Sequence, residues 1–265
     1  MAHKLALIAS DLDGTLLLNG AQKLQPETCE LIQRLIDKGI IFVAASGRQY
    51  ANLRRLFEPV KDSIGYICEN GCLGYINDEV IAKAVMENDL AHDIIKAIED
   101  TPNCEVLISG KDTCYVRADK KFFAKHIRDV VGNDVTEVDN IFETPETYMK
   151  ISSYEKGGTK NVGYWKNLFG DRCTVQTGGA EWLDMMPKGV NKSTAFKKLL
   201  EYLNVDPQNC IMFGDNDNDC EILSMVGCPI TMNTAKSNIR AMGRYNIDTV
   251  ESALIKILDG DGFDW

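Results

Sequence analysis

The sequence lacks an excess of basic residues. Its 265 residues include 29 lysines and arginines against 39 aspartates and glutamates, so the formal net charge at pH 7 is −10. A protein that holds nucleic acid independently of sequence needs a basic surface, so we expect no nucleic-acid partner. The acidic balance does not exclude an anionic substrate, because a bound cation reverses the local field.

Long apolar runs and paired cysteines are also missing. No stretch approaches the roughly 20 consecutive apolar residues of a membrane span, and the N-terminal apolar run is too short for a secretory signal. We therefore expect a cytoplasmic protein without a membrane partner. The nine cysteines are odd in number and scattered, which is typical of reduced thiols. The oligomeric state stays open.

Short apolar runs separated by amphipathic segments predict an α/β fold. Hydrophobic residues make up 45% of the chain, which is ample for a core. Four runs are typical of buried parallel strands, namely 5–9, 40–45, 211–213 and 229–232. Helical periodicity lies between them, and this alternation predicts a doubly wound parallel sheet with helices on both faces.

The middle of the chain has a different pattern. Two runs, 73–76 and 80–84, flank an Asn77-Asp78 turn and predict a hairpin. Farther along, the periodicity predicts helices over 89–99 and 120–131, among short alternating strands. This is an α+β pattern inserted into an α/β chain.

The change of pattern predicts two domains. A discontinuous core takes residues 1–84 and 187–265, and an inserted domain takes 85–186. The aromatic residues Tyr164, Trp165 and Trp182 of the insertion are expected in its core.

Polar residues follow three of the predicted strands. Asp11 and Asp13 come after the first, Ser46-Gly47-Arg48 after the second, and Asp215 and Asp219 after the 211–213 run. Ligands of an open parallel sheet bind beyond the carboxyl ends of its strands, so we expect these residues to meet at one edge. Crowded carboxylates need a shared proton or a cation. Mg²⁺, which prefers oxygen ligands, is the expected cation.

Other interpretations of these clusters fit less well. Asp215, Asp217 and Asp219 match the start of an EF-hand loop, but Cys220 and Val226 stand where that loop needs Gly and Glu. Each cluster alone is also compatible with a plain turn, yet three independent turns explain their shared position poorly. No G-x-G-x-x-G follows the first strand, which argues against a dinucleotide site.

Four ordered motifs resemble those of the haloacid dehalogenase (HAD) superfamily. Asp11-Leu12-Asp13-Gly14-Thr15 is similar to its D-x-D-G-T signature, and Ser46-Gly47-Arg48 to its second motif. Lys192 resembles the third, and Gly214-Asp215-x-x-Asn218-Asp219 the fourth. Glu69-Asn70-Gly71 resembles the Cof-type branch, which carries a C2B-like α/β cap between motifs two and three. The resemblance covers nearly the whole chain and implies a Rossmann-like core with an inserted α+β cap.

The resemblance also implies a role for each motif residue. Asp11 is the expected nucleophile, because a carboxylate is ionised at neutral pH and needs no base to form an aspartyl-phosphate. Asp13 is the expected general acid and then base, and Lys192 the neutraliser of charge on Asp11 and the phosphoryl group. The implied phosphate-binding residues are Ser46, Gly47, Lys192 and Asn218. The implied Mg²⁺ ligands are Asp11, Asp13 (through its carbonyl), Asp215 and Asp219.

The implied activity is that of a Mg²⁺-dependent phosphomonoesterase on small phosphorylated metabolites, with sugar phosphates first. A phosphomutase, which returns the phosphoryl group to a sugar, uses the same intermediate and stays open. A catalytically retired ligand-binding protein is the non-enzyme alternative. The weaker candidates for substrate selection are Arg48, Asn70, Glu181 and Trp182.

Overall fold

The computed structural model describes residues 4–159, 162–178 and 180–260. Among these residues no helix combines the length and apolarity needed to cross a bilayer. All nine cysteines are free thiols. Residues 4–46, 53–82 and 192–260 form one compact unit, whereas 47–52 and the described residues of 83–191 form a second. The domain boundaries predicted from the sequence, at residues 84/85 and 186/187, stay a prediction.

The first unit is built on an eight-stranded sheet in the order β14-β13-β12-β1-β2-β3-β4-β5. Its strands are β1 (Leu7–Ser10), β2 (Ile41–Ala45), β3 (Gly65–Cys68), β4 (Leu73–Ile76), β5 (Glu79–Lys83), β12 (Cys210–Gly214), β13 (Cys228–Met232) and β14 (Tyr245–Ile247). Neighbours from β14 to β3 are parallel, and β4 turns back antiparallel to β3. The four predicted strands and the predicted hairpin are therefore confirmed.

The central strand β1 shows why these runs pair as they do. All four of its residues are buried, because helices cover both faces of the sheet. Leu7 and Ala9 pack with helical residues such as Phe196 and Leu199. Strand β14 was not predicted, since its three residues are only half-buried or exposed and give no apolar signal.

The helices of the first unit follow the amphipathic segments. They are α1 (Thr28–Asp37), α6 (Lys192–Leu203), α7 (Cys220–Leu223), α8 (Ser237–Arg240) and α9 (Val250–Asp259), while α2 (Tyr50–Leu56) runs from one unit into the other. Helices α1 and α9 pack together, and Thr28 Oγ1 donates to Glu251 Oε1 at 2.6 Å where both side chains are buried. The α/β, doubly wound prediction is confirmed.

The second unit contains a six-stranded sheet in the order β10-β11-β9-β6-β7-β8. Its strands are β6 (Cys104–Ser109), β7 (Cys114–Arg117), β8 (Val135–Val138), β9 (Lys150–Glu155), β10 (Cys173–Thr177) and β11 (Trp182–Pro187). Its helices are α3 (Asn88–Glu99), α4 (Lys121–His126, continued by a π-helical turn over Ile127–Val131) and α5 (Val162–Phe169). Pairing is antiparallel except between β7 and β8, which α4 connects. The predicted α+β insertion is confirmed.

The aromatic residues of α5 divide in a way that the sequence did not predict. Trp165 is fully buried, and its Nε1 donates to Glu155 Oε1 at 3.0 Å. Tyr164 was expected in the core as well, but it is 52% exposed. Consecutive residues of a helix point about 100° apart, so the helix that buries Trp165 turns Tyr164 toward solvent.

Candidate active site

The loop after β1 places two carboxylates in different surroundings. Asp11 is 5% exposed, and its backbone N–H donates to Phe213 O at 2.9 Å, which joins the loop to the end of β12. The chain then turns tightly, since Leu17 N donates to Leu12 O at 2.7 Å. Asp13, which lies on this turn, is exposed. One carboxyl is therefore held inside the site and the other is accessible from solvent.

Lys192 begins α6 and brings a positive charge to Asp11. Its ammonium lies 2.5 Å from Asp11 Oδ1 and 2.8 Å from Asp219 Oδ1, and its side chain has no solvent exposure. Burial by itself lowers the pKa of the Lys192 ammonium, but the charges of Asp11 and Asp219 outweigh it and raise the pKa above its ordinary value. Lys192 is therefore a fixed cation at neutral pH.

The segment after β12 is shaped to hold Asp219. This side chain is fully buried, and its Oδ2 accepts the backbone N–H groups of Asp215 and Asn216, each at 3.2 Å. Asn216 and Asp219 form a capping box on the 3₁₀ turn Asp217–Asp219. The loop after β12 is therefore an ordered turn, which fixes the position of the Asp219 carboxylate.

Two glycines leave room for the acidic side chains. A Cβ on Gly14 would lie 2.2 Å from Asp215 Oδ2, and Gly14 also has a φ of +92°. A Cβ on Gly214 would lie 2.7 Å from the Cβ of Asp219. The glycine of the D-x-D-G-T signature is thus required both by backbone conformation and by space.

Three carboxylates converge on a position suited to a metal ion. Asp11, Asp215 and Asp219 each offer an oxygen, and these oxygens lie within 4.8 Å of one another. The carboxylate of Asp13 is not in this group, and the metal contact expected of its backbone carbonyl stays a prediction. An all-oxygen donor set fits a hard divalent cation such as Mg²⁺.

Burial and crowding shift the pKa values of this cluster. Burial raises the pKa of the Asp11 carboxyl well above its ordinary value; Lys192 opposes that shift, and Asp219 and Asp215 add to it. Burial also raises the pKa of Asp215, although a hydrogen bond from Thr15 Oγ1 at 2.8 Å works against the shift. A cation in this position would favour the ionised forms.

The expected phosphate side lies beside this cluster. Ser46 is 1% exposed; its N–H donates to Ile67 O at 2.8 Å, and its carbonyl accepts from Asn70 N at 3.1 Å. Asn70 and Glu69 both have positive φ values, 54° and 50°, a strained backbone that persists where the surroundings fix it. Asn218 Nδ2 reaches Asn70 Oδ1 at 3.5 Å, and within the described residues Asn218 Oδ1 is buried without a hydrogen-bond partner.

The remaining sequence candidates belong to the second unit. Arg48 Nη1 lies 3.4 Å from Asn52 Oδ1. The carbonyl of Gly47 accepts a hydrogen bond from Lys150 of the second sheet. Glu181 accepts from Tyr154 Oη at 3.0 Å and from Gly157 N at 2.8 Å. The Trp182 ring lies 4.9 Å from the Tyr154 ring, centroid to centroid. The roles given to these residues from sequence stay predictions.

One participant had no predicted role. Thr15 belongs to the quoted signature, but its hydrogen bond to Asp215 spans 200 positions of sequence. The only sequence signal is the threonine at the end of D-x-D-G-T.

Comparison with known proteins places this geometry in context. Residues 8–256 match the family model described as haloacid dehalogenase-like hydrolase. The 5-amino-6-(5-phospho-D-ribitylamino)uracil phosphatase of Escherichia coli is 26% identical, covering 90% of this chain and 89% of its own. The HMP-PP phosphatase of Yersinia enterocolitica is 25% identical, covering 88% and 86%. The solved structure of a HAD subclass IIB sugar phosphatase, BT4131, is 19% identical, covers 96% of this chain and 98% of its own, and has a TM-score of 0.77.

Proposed function

Because this chain belongs to the haloacid dehalogenase-like hydrolase family, as the sequence motifs predicted, we propose that it is a Mg²⁺-dependent phosphomonoesterase that works through an aspartyl-phosphate. The observation that carries the proposal is the buried contact of 2.5 Å between Lys192 and Asp11 beside two further carboxylates. The family accounts for the type of enzyme, a phosphatase of the HAD kind. The metal, the intermediate and the substrate class are the proposal.

Asp11 is the nucleophile. One carboxylate oxygen attacks phosphorus, the bond from phosphorus to the leaving alkoxide breaks, and the alkoxide takes a proton from Asp13. Water then attacks the acyl phosphate, Asp13 accepts the water proton, and orthophosphate leaves with Asp11 restored. The burial of Asp11 supports this role, because its position is fixed by Lys192 and by the hydrogen bond to Phe213. The exposure of Asp13 suits a group that exchanges protons with alcohol and water.

The groups that would hold Mg²⁺ are the carboxylates of Asp11, Asp215 and Asp219 and the backbone carbonyl of Asp13. When bound, Mg²⁺ supplies positive charge that stabilises the phosphoryl oxygens. Lys192 supplies a second, permanent charge next to the attacking oxygen. Together they explain how an acidic protein can accept an anion at an acidic cluster.

Ser46, the Gly47 N–H and Asn218 form the proposed grip on the phosphoryl oxygens. Ser46 is held by two backbone hydrogen bonds, which fix the backbone from which its side chain projects. The orphaned amide oxygen of Asn218 supports a polar ligand here, because buried polar groups are nearly always paired. Asn70 is tied to Asn218 and is proposed to orient it.

The proposed substrates are small phosphorylated metabolites, with sugar phosphates first. The relatives from Escherichia coli and Yersinia enterocolitica support this class, because both are phosphatases of phosphorylated small molecules. The second unit supplies the proposed selecting residues, Arg48, Glu181 and Trp182.

The test is phosphate release from a panel of phosphomonoesters with Mg²⁺, comparing wild type with Asp11→Asn and Asp217→Asn. Asp217 is an exposed neighbour outside the three-carboxylate group, so it is a charge-matched control. We expect turnover in the wild type and the control, none in Asp11→Asn, and loss with EDTA. Mass spectrometry of acid-quenched enzyme should find phosphate on Asp11.

Full turnover in Asp11→Asn would overturn the nucleophile, and EDTA-resistant turnover would overturn Mg²⁺. Transfer of the phosphoryl group to a sugar, without orthophosphate release, would identify a phosphomutase. Tight ligand binding without turnover in the wild type would identify a binding protein.

A further inference from the structure

The segment that follows Ser46 is held by the second unit. This anchored segment, residues 47–52, belongs to that unit although the rest of the β2 region does not. Gln49 is 2% exposed; its Nε2 donates to Asp134 O at 3.2 Å, and its Oε1 accepts from Asp134 N at 2.8 Å. Asn52 Nδ2 donates to Val131 O at 2.7 Å. We call Ser46 and Gly47, which carry the hydroxyl and the N–H proposed to bind phosphate, the phosphate loop. This loop runs directly into the anchored segment, whose far end is fixed by Gln49 and Asn52.

Lys150 fixes the near end of the anchored segment. It is the first residue of β9, it is 6% exposed, and its Nζ donates to Gly47 O at 3.0 Å. The same Nζ lies 3.4 Å from Asp184 Oδ2, and Ser152 Oγ donates to Asp184 Oδ1 at 2.6 Å. Asp184 is 4% exposed. Lys150 is therefore held by a buried carboxylate, whose own position is fixed by Ser152.

Sheet stability alone is a poor explanation for this arrangement. A buried ion pair loses about as much in desolvation as it gains from attraction, and an apolar pair of the same volume is often as stable. What the ion pair does provide is a fixed direction for the lysine. The Lys150 ammonium therefore points at the carbonyl of Gly47. This carbonyl belongs to the same residue as the N–H proposed to bind a phosphoryl oxygen.

We propose that Lys150 is a positioning residue for the phosphate loop: through the Gly47 carbonyl it sets the orientation in which Ser46 and the Gly47 N–H meet the phosphoryl group. This inference rests on the proposed phosphatase function. Lys150 acts through the backbone of the loop and takes no part in bond making. Asp184 holds Lys150, and Gln49 holds the same segment farther along.

The experiment compares wild type with Lys150→Met, Lys150→Arg and a control, Lys120→Met, using p-nitrophenyl phosphate with Mg²⁺. Lys120 belongs to the same unit and pairs with Glu105 at 2.9 Å, but it is 44% exposed, so the control removes the same charge from a partly exposed surface pair. We expect Lys150→Met to lower kcat/KM and to raise the inhibition constant of orthophosphate, each by about tenfold or more, as the loss of a charge-assisted hydrogen bond implies. Lys150→Arg, which keeps charge and donor, should recover much of both.

Melting temperature separates positioning from stability. If Lys150→Met unfolds more readily but binds orthophosphate as wild type does at a temperature where it is folded, the lysine is structural and the proposal is wrong. Equal effects of Lys120→Met would also overturn it. If Lys150→Met does not fold, Gln49→Leu tests the same arrangement from the other end: weakened orthophosphate binding supports the proposal, and unchanged binding contradicts it.

Failure of this inference differs from failure of the proposed function. A wild type without turnover on any phosphomonoester rejects the phosphatase. An active wild type with unchanged Lys150→Met kinetics rejects only the positioning role.

Discussion

Thr15 Oγ1 donates a hydrogen bond of 2.8 Å to Asp215 Oδ1 and so ties the loop after β1 to the loop after β12. Asp215 is the least buried of the three clustered carboxylates, and this contact helps to orient it as a proposed metal ligand. A group that orients a metal ligand typically changes metal affinity about 10- to 100-fold when it is removed. We therefore expect Thr15→Val to weaken Mg²⁺ binding by that range, as measured by titration calorimetry.

Thr15→Ser keeps the hydroxyl donor and is the matched control for this prediction. It should bind Mg²⁺ nearly as wild type does. Equal Mg²⁺ affinity of Thr15→Val and wild type would show that the hydrogen bond does not position Asp215.

Gly14→Ala should damage the same site through space. The alanine Cβ would meet Asp215 Oδ2 at 2.2 Å, in a backbone conformation with φ of +92°. Gly20→Ala separates the two effects, because Gly20 has a φ of +75° with nothing near its Cβ position. We expect the conformational cost alone, about 1–2 kcal/mol of unfolding free energy, in Gly20→Ala. Gly14→Ala should lose more, by about 1–3 kcal/mol as in overpacked sites, and should also bind Mg²⁺ poorly. Equal losses in denaturant unfolding, with normal Mg²⁺ binding, would contradict the close approach.

The sequence predicted the clustered carboxylates better than the contacts that hold them in place. Asp11, Asp215 and Asp219 could be placed together because buried apolar runs identify parallel strands, whose carboxyl ends share an edge. The contacts of Thr15 and Lys150 could not be placed, since they depend on register between segments far apart in sequence. Strand β14 and the exposure of Tyr164 were missed for a related reason: a short half-buried strand and the rotation of one helix leave no distinct pattern. A motif identifies the polar side chains of a site, whereas the contacts that orient those side chains depend on the packing of distant segments.

The pKa of Asp11 makes a prediction for the metal-free protein. Burial raises it well above the ordinary value of 3.8, so the folded state holds a proton that the unfolded chain releases more readily. The stability from this group is therefore fully present below about pH 4 and is lost as pH rises toward the folded-state pKa. We expect the unfolding free energy without metal to fall with rising pH in that window, by at most about 1.4 kcal/mol per pH unit for this group. Chemical denaturation at several pH values measures it.

Asp11→Asn removes this titration and should flatten the slope. Asp215, whose pKa is also raised by burial, would keep part of it. Saturating Mg²⁺ should flatten the wild-type slope as well, because a cation stabilises the ionised carboxylates. The same slope in Asp11→Asn and wild type would show that Asp11 is not the group responsible.

Trp182 offers an aromatic face in the second unit, half-buried against Tyr154. If Trp182 selects the leaving group, Trp182→Leu changes the kcat/KM of each substrate relative to the kcat/KM of p-nitrophenyl phosphate, which serves as the reference substrate. Tyr164→Leu is the control, because Tyr164 is a 52% exposed aromatic of the same unit. Ratios that stay constant in Trp182→Leu across a panel of sugar and heterocyclic phosphates would remove it from substrate selection.

Lys192→Met should reveal what the buried lysine compensates. Its ammonium contacts both Asp11 and Asp219, and no part of its side chain is exposed. Removing one partner of a buried ion pair typically costs about 3–5 kcal/mol, because the remaining charge is left uncompensated. We expect a loss of that order in metal-free unfolding free energy, together with loss of turnover. Lys198→Met changes an exposed lysine of the same helix and should leave the unfolding free energy and the turnover unchanged.

Mg²⁺ should restore part of the stability of Lys192→Met but not its turnover. A cation can neutralise the charge of Asp219, but it does not replace the hydrogen-bond donor at the proposed attacking oxygen of Asp11. Recovery of turnover with Mg²⁺ alone would show that Lys192 serves folding and has no part in the reaction.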